Sequence, residues 1–387
     1  MVFGSCANGF GSPTSDLDMC LQLPQGASLA TEDDESGAKA MGKIAEQLEE
    51  AGMENVDTAR LTARIPVVMF NYPAIGPSGE KILLDCDLSM QNPLACLNTN
   101  LLLSYANISP LTRLLVSMIK RWAKNRDLNS PARHTLSSYG YILMLLYFLT
   151  HHADVWDLVN PHSDKRDGHI LPFPSGDEKY KPKQPLLPNL QWMDQLYPQM
   201  GPDAVYSDMV DKPNNEYYLK PHPTEQTFTV NTYYYRIPNE QEKVKMQRKF
   251  APDRQPAVAV VLAAFFRFFA YEFDCKKHVV SLNSAEHTGP VEKEEKAESD
   301  GWSLYRQNIL AIEDPFETFY DVAHVLKPPT FLRLRRELAM AYSKLVDALT
   351  GAGGGDGVSS WGKDDIGAMS GEQIIDWLCE ALPEVKE

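Results

Sequence analysis

Apolar and polar residues alternate along Asp16-Leu17-Asp18-Met19-Cys20-Leu21-Gln22-Leu23, which predicts a half-buried strand behind a Gly-rich loop. Residues 25–36 are acidic and loop-like. Across 37–52 the apolar spacing changes to three and four, with Met41, Ile44 and Leu48 on one face, predicting an amphipathic helix. Two β-like runs follow, Arg64 to Tyr72 and Lys81 to Met90, with a turn at Pro77-Ser78-Gly79 between them. Up to about residue 92 the pattern is that of a small α/β unit. Beyond it, 110–126, 135–152, 257–273 and 330–350 carry apolar residues at helical steps without an internal Pro. Between 153 and 256 Pro, Asn, Tyr and charge predict long loops, and 286–300 a mobile charged loop. Residues 351–363 read as a flexible linker, and a short helix at roughly 370–382 as the last element. The expected organisation is thus 1–92, 93–350 and 351–387, an α+β chain whose second part is mostly helical.

With 387 residues and 43% hydrophobic content, the chain has enough apolar material for one large or two smaller cores, which excludes disorder throughout. The net charge of −15 weighs against simple wrapping of nucleic acid but permits a local basic cleft. The six Cys are scattered without a C-x-x-C, which argues against a structural zinc site or a disulfide framework and fits a reducing compartment. No apolar run approaches the roughly 18 residues of a membrane span, and no secretory signal opens the chain.

The candidate chemistry lies in carboxylates. Asp16 and Asp18, two apart on a strand, face one way and repel unless a cation lies between them. Hard oxygen donors of this kind suit Mg²⁺, and the Gly4-Ser5 turn upstream can offer N–H groups and a hydroxyl to phosphates. An isolated D-x-D is usually a solvated strand end. Asp85-Cys86-Asp87, in a run flanked by Ile82-Leu83-Leu84 and Leu88, changes the balance, because one of its carboxylates on a neighbouring strand would complete a set of three. Three carboxylates can hold two metal ions about 3.5–4 Å apart, the arrangement for in-line phosphoryl or nucleotidyl displacement.

Gly4-Ser5, Asp16-Leu17-Asp18 and Cys86-Asp87-Leu88 resemble the nucleotidyltransferase superfamily of DNA polymerase β, and more closely its RNA terminal uridylyltransferases and poly(A) RNA polymerases. The likeness continues through Ala63 to Val68, Asn98-Thr99, Lys120 to Lys124, Asn129-Ser130-Pro131, Thr135 to Tyr141, Phe265 to Tyr271 and Ile312 to Glu317, covering roughly residues 3–345. It implies a polymerase-β-like α/β catalytic domain and a helical poly(A)-polymerase-type domain with a cleft between them. It implies Asp16, Asp18 and Asp87 as the ligands of two Mg²⁺ or Mn²⁺ ions, with Asp85 an extra. The helices that relatives carry ahead of Gly4-Ser5 are then expected to be missing.

The same resemblance gives roles to residues whose own patterns are ambiguous. Residues 108–136 hold six cations against Asp127 alone, and Arg113, Ser117, Lys120 and Lys124 share a helix face that a solvated stripe would also explain. In relatives the matching Lys120 and Lys124 grip the triphosphate. Ser138 and Tyr139, at a helix start where capping is the ordinary reading, match a phosphate-contacting Ser and a base-stacking Tyr. Asn98, by itself a turn or cap residue, matches an Asn that reads the ribose 2′-hydroxyl. Asp314 and Glu317 match the segment that reads the base, where a carboxylate can accept the N3–H of uracil and adenine offers no N–H at N1. Many relatives that prefer UTP have a His three residues after that Glu; this chain has Tyr320, although the segment keeps their length. The aromatic run Phe265 to Phe273 reads as core, and Arg333, Arg335 and Arg336 as either RNA contacts or a solvated face.

The expected activity is untemplated transfer of UMP from UTP to an RNA 3′ end, with ATP as the alternative donor. A partner protein supplying RNA affinity, a monomeric state, no membrane association and a cytoplasmic location complete the expectation. The rivals are a non-catalytic RNA-binding scaffold, against which the intact Asp16, Asp18 and Asp87 stand, and a small-molecule nucleotidyltransferase, which has no use for Asn98 or the Asp314–Glu317 segment.

Overall fold

The computed structural model describes residues 1–12, 15–22, 37–63, 65–90, 92–151, 185–192, 216–219, 228–250, 258–283, 290–302, 309–350 and 371–379. The fold is α+β, and the chain divides into two compact units, Met1–Asn107 with Asn214–Thr232, and Ile108–Pro213 with Tyr233–Glu387.

The first unit is built on a five-stranded sheet. Its strands β1 (Val2–Phe3), β2 (Leu17–Leu21), β3 (Glu54–Asp57), β4 (Val67–Ile75) and β5 (Lys81–Met90) lie in the order β1-β2-β5-β4-β3. Only the β2–β5 pair among these is parallel. Helix α1 (Ala38–Glu50) covers one face, burying Met41 and Ala45 against Val68, Phe70, Cys86 and Met90. Leu17, Met19 and Leu88 pack on the same cluster. The period of two therefore turns Asp16, Asp18 and Asp87 to the opposite face. β5 has the expected bounds; β4 runs later than the expected Arg64 to Tyr72, and Arg64 lies outside the described residues. The expected turn closes with Gly79 N–H on the Gly76 carbonyl at 2.9 Å.

Helix α2 (Pro93–Ile108) was not expected, and Asn98 stands inside it rather than in a turn or at a cap. Its signals are local: the Asn92 side chain accepts the Ala95 N–H at 3.2 Å, Pro93 opens the helix, and Leu94, Leu101, Leu102, Tyr105 and Ile108 are buried at helical steps. The pairing of β6 (Glu216–Leu219) with β7 (Phe228–Asn231) replaces part of the expected long loop and groups with this unit.

In the second unit the described helices are α3 (Pro110–Asn125), α4 (Ser138–His151), α5 (Glu240–Phe250), α6 (Val258–Arg267), α7 (Lys293–Asp300), α8 (Pro328–Thr350) and α9 (Gly371–Cys379). Pro110 starts α3 at the position where a missing N–H is harmless, and Asp127, with φ +53°, ends it by letting Leu128 N–H reach the Ala123 carbonyl at 2.8 Å. Helix α4 is buried from Gly140 to Thr150. Trp122 meets Tyr141 and Phe266 at 6.3 and 4.9 Å between ring centres, and Phe265, Phe266, Phe268 and Phe269 are buried, so the aromatic run is core.

Three expectations for this unit are corrected. The helix expected over 257–273 ends at Arg267 and passes into a π turn, Phe268–Glu272, where the widened turn leaves the Ala270 carbonyl to the Arg335 guanidinium at 2.7 Å. The segment 240–250 is helix α5, not loop. The later part of 286–300 is helix α7, because two of its lysines are buried rather than solvated: Lys293 Nζ donates to the carbonyls of Cys275 and Ile309 at 2.7 and 2.5 Å. Residues 284–289 and the expected linker 351–363 lie outside the described residues. The short last helix is present as α9; Ile374, Ile375 and Leu378 are buried, and Asp376 receives both hydrogen bonds of Arg121 at 2.7 and 2.9 Å. Among the described residues no single helix is long and apolar enough to cross a membrane.

Candidate active site

The first unit gathers three carboxylates beside a glycine turn. β2 and β5 run in a register that sets Asp18 against Asp87, and Asp16 precedes β2 by one residue. The loop after β1 turns at Gly4, φ +68°, and closes with the N–H groups of Ala7 and Asn8 on the Gly4 carbonyl. A Cβ on Gly4 would stand 1.9 Å from Asp18 Oδ2, so glycine is required both for the backbone conformation and for the close approach. The loop is fastened from α2: Gly4 N–H donates to Thr99 Oγ1 at 2.9 Å, and that hydroxyl donates to the Ala95 carbonyl at 2.8 Å. Ser5 N–H in turn donates to the Asp18 carboxylate.

The electrostatics follow from this crowding. Burial, then the neighbouring Asp87 and Asp16, push the Asp18 carboxyl up to about 6, with the Ser5 N–H opposing. Burial and Asp16 also raise Asp87, against the pull of Arg60, whose Nη1 lies 3.7 Å from Asp87 Oδ2. Asp85 is exposed and receives Asn71 Nδ2 at 2.5 Å, which leaves Asp87 as the β5 carboxylate that faces Asp18. Among the described residues no three carboxylate, imidazole or thiolate groups converge as a formed metal cage. The donor set nevertheless fits a hard divalent cation: it is all oxygen, and Asp18 and Asp87 stand side by side on β2 and β5.

Asn98 also lies in the first unit, inside α2, and the second unit holds the remaining candidates. Lys120 is half-buried and Lys124 exposed, on the side of α3 away from the buried Leu115, Met118, Ile119 and Trp122. Much of the remaining basic stretch has structural employment. Arg121 pairs with Asp376, Arg126 with Glu337 and Arg133 with Asp127. Arg333 and Arg335 donate to the carbonyls of Arg126 and Ala270, which gives both a role in joining helices. Ser138 opens α4, and its hydroxyl receives Asn129 Nδ2 at 2.9 Å; the capping contact to Gly140 N–H comes instead from Ser137, at 3.3 Å.

Tyr139 and Asp314 are brought together: the Tyr139 hydroxyl donates to Asp314 Oδ2 at 2.9 Å. Asp314 Oδ1 accepts the N–H groups of Phe316 and Glu317, each at 2.9 Å. Asp314 thus spends three of its roughly four acceptor positions inside the protein. Burial, with Asp314 and Glu317 nearby, raises the Tyr139 hydroxyl far above the ordinary tyrosine range. Glu317 is buried as well. Sequence patterns did not single out Thr99, Arg60 or Asn129 as supports, because each acts through one hydrogen bond or charge that no periodicity encodes.

Residues 1–107 match a family described as the central palm domain of mitochondrial-like poly(A) RNA polymerase, and residues 257–318 match one described as Cid1 family poly A polymerase. Terminal uridylyltransferase cid1 of Schizosaccharomyces pombe is 26% identical over 360 residues, which are 90% of this chain and 69% of that protein. Terminal uridylyltransferase 4 of Homo sapiens is 27% identical over 316 residues, 82% of this chain but 15% of that much longer protein. A structure of the Cid1 poly(U) polymerase with magnesium and 3′-dATP bound superposes with a TM-score of 0.57 at 25% identity, over 89% of this chain and 80% of that one.

Proposed function

We propose that this chain, which belongs to the family of RNA terminal uridylyltransferases and poly(A) RNA polymerases, transfers nucleotidyl groups without a template to the 3′-hydroxyl of RNA, with UTP as the preferred donor. The observation that carries the reading is the pairing of Asp18 with Asp87 on adjacent parallel strands, with the Gly4 turn packed on the Asp18 carboxylate.

Asp16, Asp18 and Asp87 would hold two divalent ions, Mg²⁺ by the chemistry of the set, which would supply positive charge for deprotonating the 3′-hydroxyl and for releasing pyrophosphate. Asp87 is the carboxylate assigned to take the 3′-hydroxyl proton. Ser5 and the backbone of its turn bind phosphate oxygens, Lys120 and Lys124 neutralise the triphosphate tail, and the Ser138 hydroxyl donates to it. Asn98 reads the ribose. The Tyr139 hydroxyl is engaged by Asp314, so the ring face is what that residue offers to a base.

UTP is favoured because Asp314 and Glu317 are acceptors suited to the uracil N3–H. ATP is the second reading, since Tyr320 stands where many UTP-preferring relatives have His. The test supplies purified protein with Mg²⁺, labelled RNA and one nucleoside triphosphate at a time. Extension with UTP, weaker extension with ATP, and loss of both in Asp87→Ala are expected. No extension with any nucleotide would sink the proposal.

A further inference from the structure

The Asp314–Glu317 segment sits on a buried polar network that the reaction does not explain. Gln191 Nε2 donates to the Pro315 carbonyl at 2.9 Å and to Asn283 Oδ1 at 2.8 Å. Asn283 Nδ2 donates to the same Pro315 carbonyl at 3.1 Å and to Glu313 Oε1 at 2.6 Å. Glu313 is 3% exposed; its Oε1 also accepts the Ser281 hydroxyl at 3.0 Å, and its Oε2 meets Lys296 Nζ at 2.8 Å. Asn283 is itself tied down, its carbonyl accepting Trp192 Nε1 at 2.8 Å and its N–H donating to Ser281 Oγ at 3.0 Å.

These bonds meet at one peptide. Pro315 has no N–H, so its carbonyl is its single backbone polar group, and two side-chain donors occupy both lone pairs. A flip of that peptide would turn the Phe316 N–H, which shares its plane, away from Asp314 Oδ1, the same oxygen that accepts the Glu317 N–H. Asn283 spends one amide hydrogen on it and anchors itself with the other on Glu313 and with its oxygen on Gln191, which supplies the second donor. A buried polar network is a poor source of net stability compared with an apolar core. It does hold geometry, and a polar site rejects the wrong ligand only if its reading groups cannot swing to follow it.

We infer that Gln191 and Asn283 are positioning residues for base selection: by clamping the Pro315 carbonyl they fix Asp314 and Glu317 against reorientation, and so set the preference between UTP and ATP. This rests on the proposed function. The test measures kcat and KM for UTP and ATP in wild type, Gln191→Met and Asn283→Leu, alongside Tm. The UTP-to-ATP ratio of kcat/KM is expected to fall about tenfold in each variant, mainly through KM for UTP, with kcat at saturating UTP within about threefold of wild type. A lowered Tm with an unchanged ratio, or an equal rise of KM for both nucleotides, overturns the inference. A second measurement needs no variant. In the nucleotide-free wild-type protein the amide hydrogens of Phe316 and Glu317 are expected to exchange slowly; fast exchange that slows only when UTP is added overturns it. Wild-type protein that extends RNA with neither nucleotide refutes the functional proposal and this inference with it. Extension by wild type with an unmoved ratio in the variants refutes the inference alone.

Discussion

Replacing Gly4 by Ala separates two effects that usually travel together. The residue has φ +68°, a conformation that costs an L-residue about 1–2 kcal/mol. The new Cβ would also lie 1.9 Å from Asp18 Oδ2 and 2.6 Å from its Cγ, where ordinary contact begins at 3.4 Å. The carboxylate must therefore retreat by roughly 1.5 Å, or the loop must lift by that amount from Thr99 and strain the bond at 2.9 Å that holds it. A misplacement of about 1 Å in a reacting constellation can lower rates about 10²-fold. Gly79→Ala is the matched control: φ is +84°, and nothing lies within 4 Å of its added Cβ. Both variants are expected to lose a few degrees in Tm, about what 1–2 kcal/mol of backbone strain produces. Only Gly4→Ala should lose about 10²-fold in kcat/KM for RNA extension. Thermal unfolding and steady-state extension of a labelled RNA read the two quantities. Equal activity in the two variants at equal Tm would refute the claim that the Gly4 turn sets the position of Asp18.

Asp18→Asn should abolish extension yet stabilise the protein in metal-free buffer at pH 8. The folded carboxyl, at about 6, binds its proton more tightly than an unfolded one at 3.8, so its stabilising contribution is complete below pH 3.8 and is lost as pH rises through 6. Screening at this half-exposed site holds the gain to about 1 kcal/mol, and the gap should close near pH 4; urea midpoints at the two pH values check it, and a variant weaker at both contradicts it. Thr99→Val removes the acceptor of Gly4 N–H and should lower stability by about 1–2 kcal/mol and kcat by about tenfold, with unchanged activity as the refuting result. Arg335→Ala exposes the Ala270 carbonyl in the π turn and should lower the urea midpoint by about 1 kcal/mol equivalent without altering RNA affinity; weakened RNA binding at unchanged stability would restore its role as an RNA contact.

The elements legible in the sequence are those whose burial is one-sided. β5 shows at its expected bounds, and α1 and α3 show on their expected faces, because apolar residues repeat at two or at three and four. Helix α2 escaped because its apolar positions crowd one region, Leu101-Leu102 and Tyr105-Ala106, after polar Asn98 and the Thr99 that fastens the Gly4 turn. α7 escaped because Lys293 and Lys296 read as solvated charge, whereas backbone carbonyls and Glu313 take them into the interior. The carboxylates themselves were legible, since a D-x-D needs only strand alternation to face one way. Their supports were not: Thr99 on Gly4, and Gln191 on Pro315 across 124 residues, are contacts that only the assembled fold creates.

The two acidic clusters are physical opposites. Asp18 and Asp87 stand partly buried beside each other and Asp16, with one N–H on Asp18 and the Arg60 guanidinium 3.7 Å from Asp87 to offset them, and burial and the neighbouring carboxylates raise both. Such a pair gains most from an added cation, whose binding should stabilise the fold as it prepares the chemistry. Glu313 and Asp314 are more deeply buried, yet hydroxyls, amides, backbone N–H groups and Lys296 answer their oxygens. A cation there would displace bonds already made. Carboxylates so satisfied keep a fixed orientation.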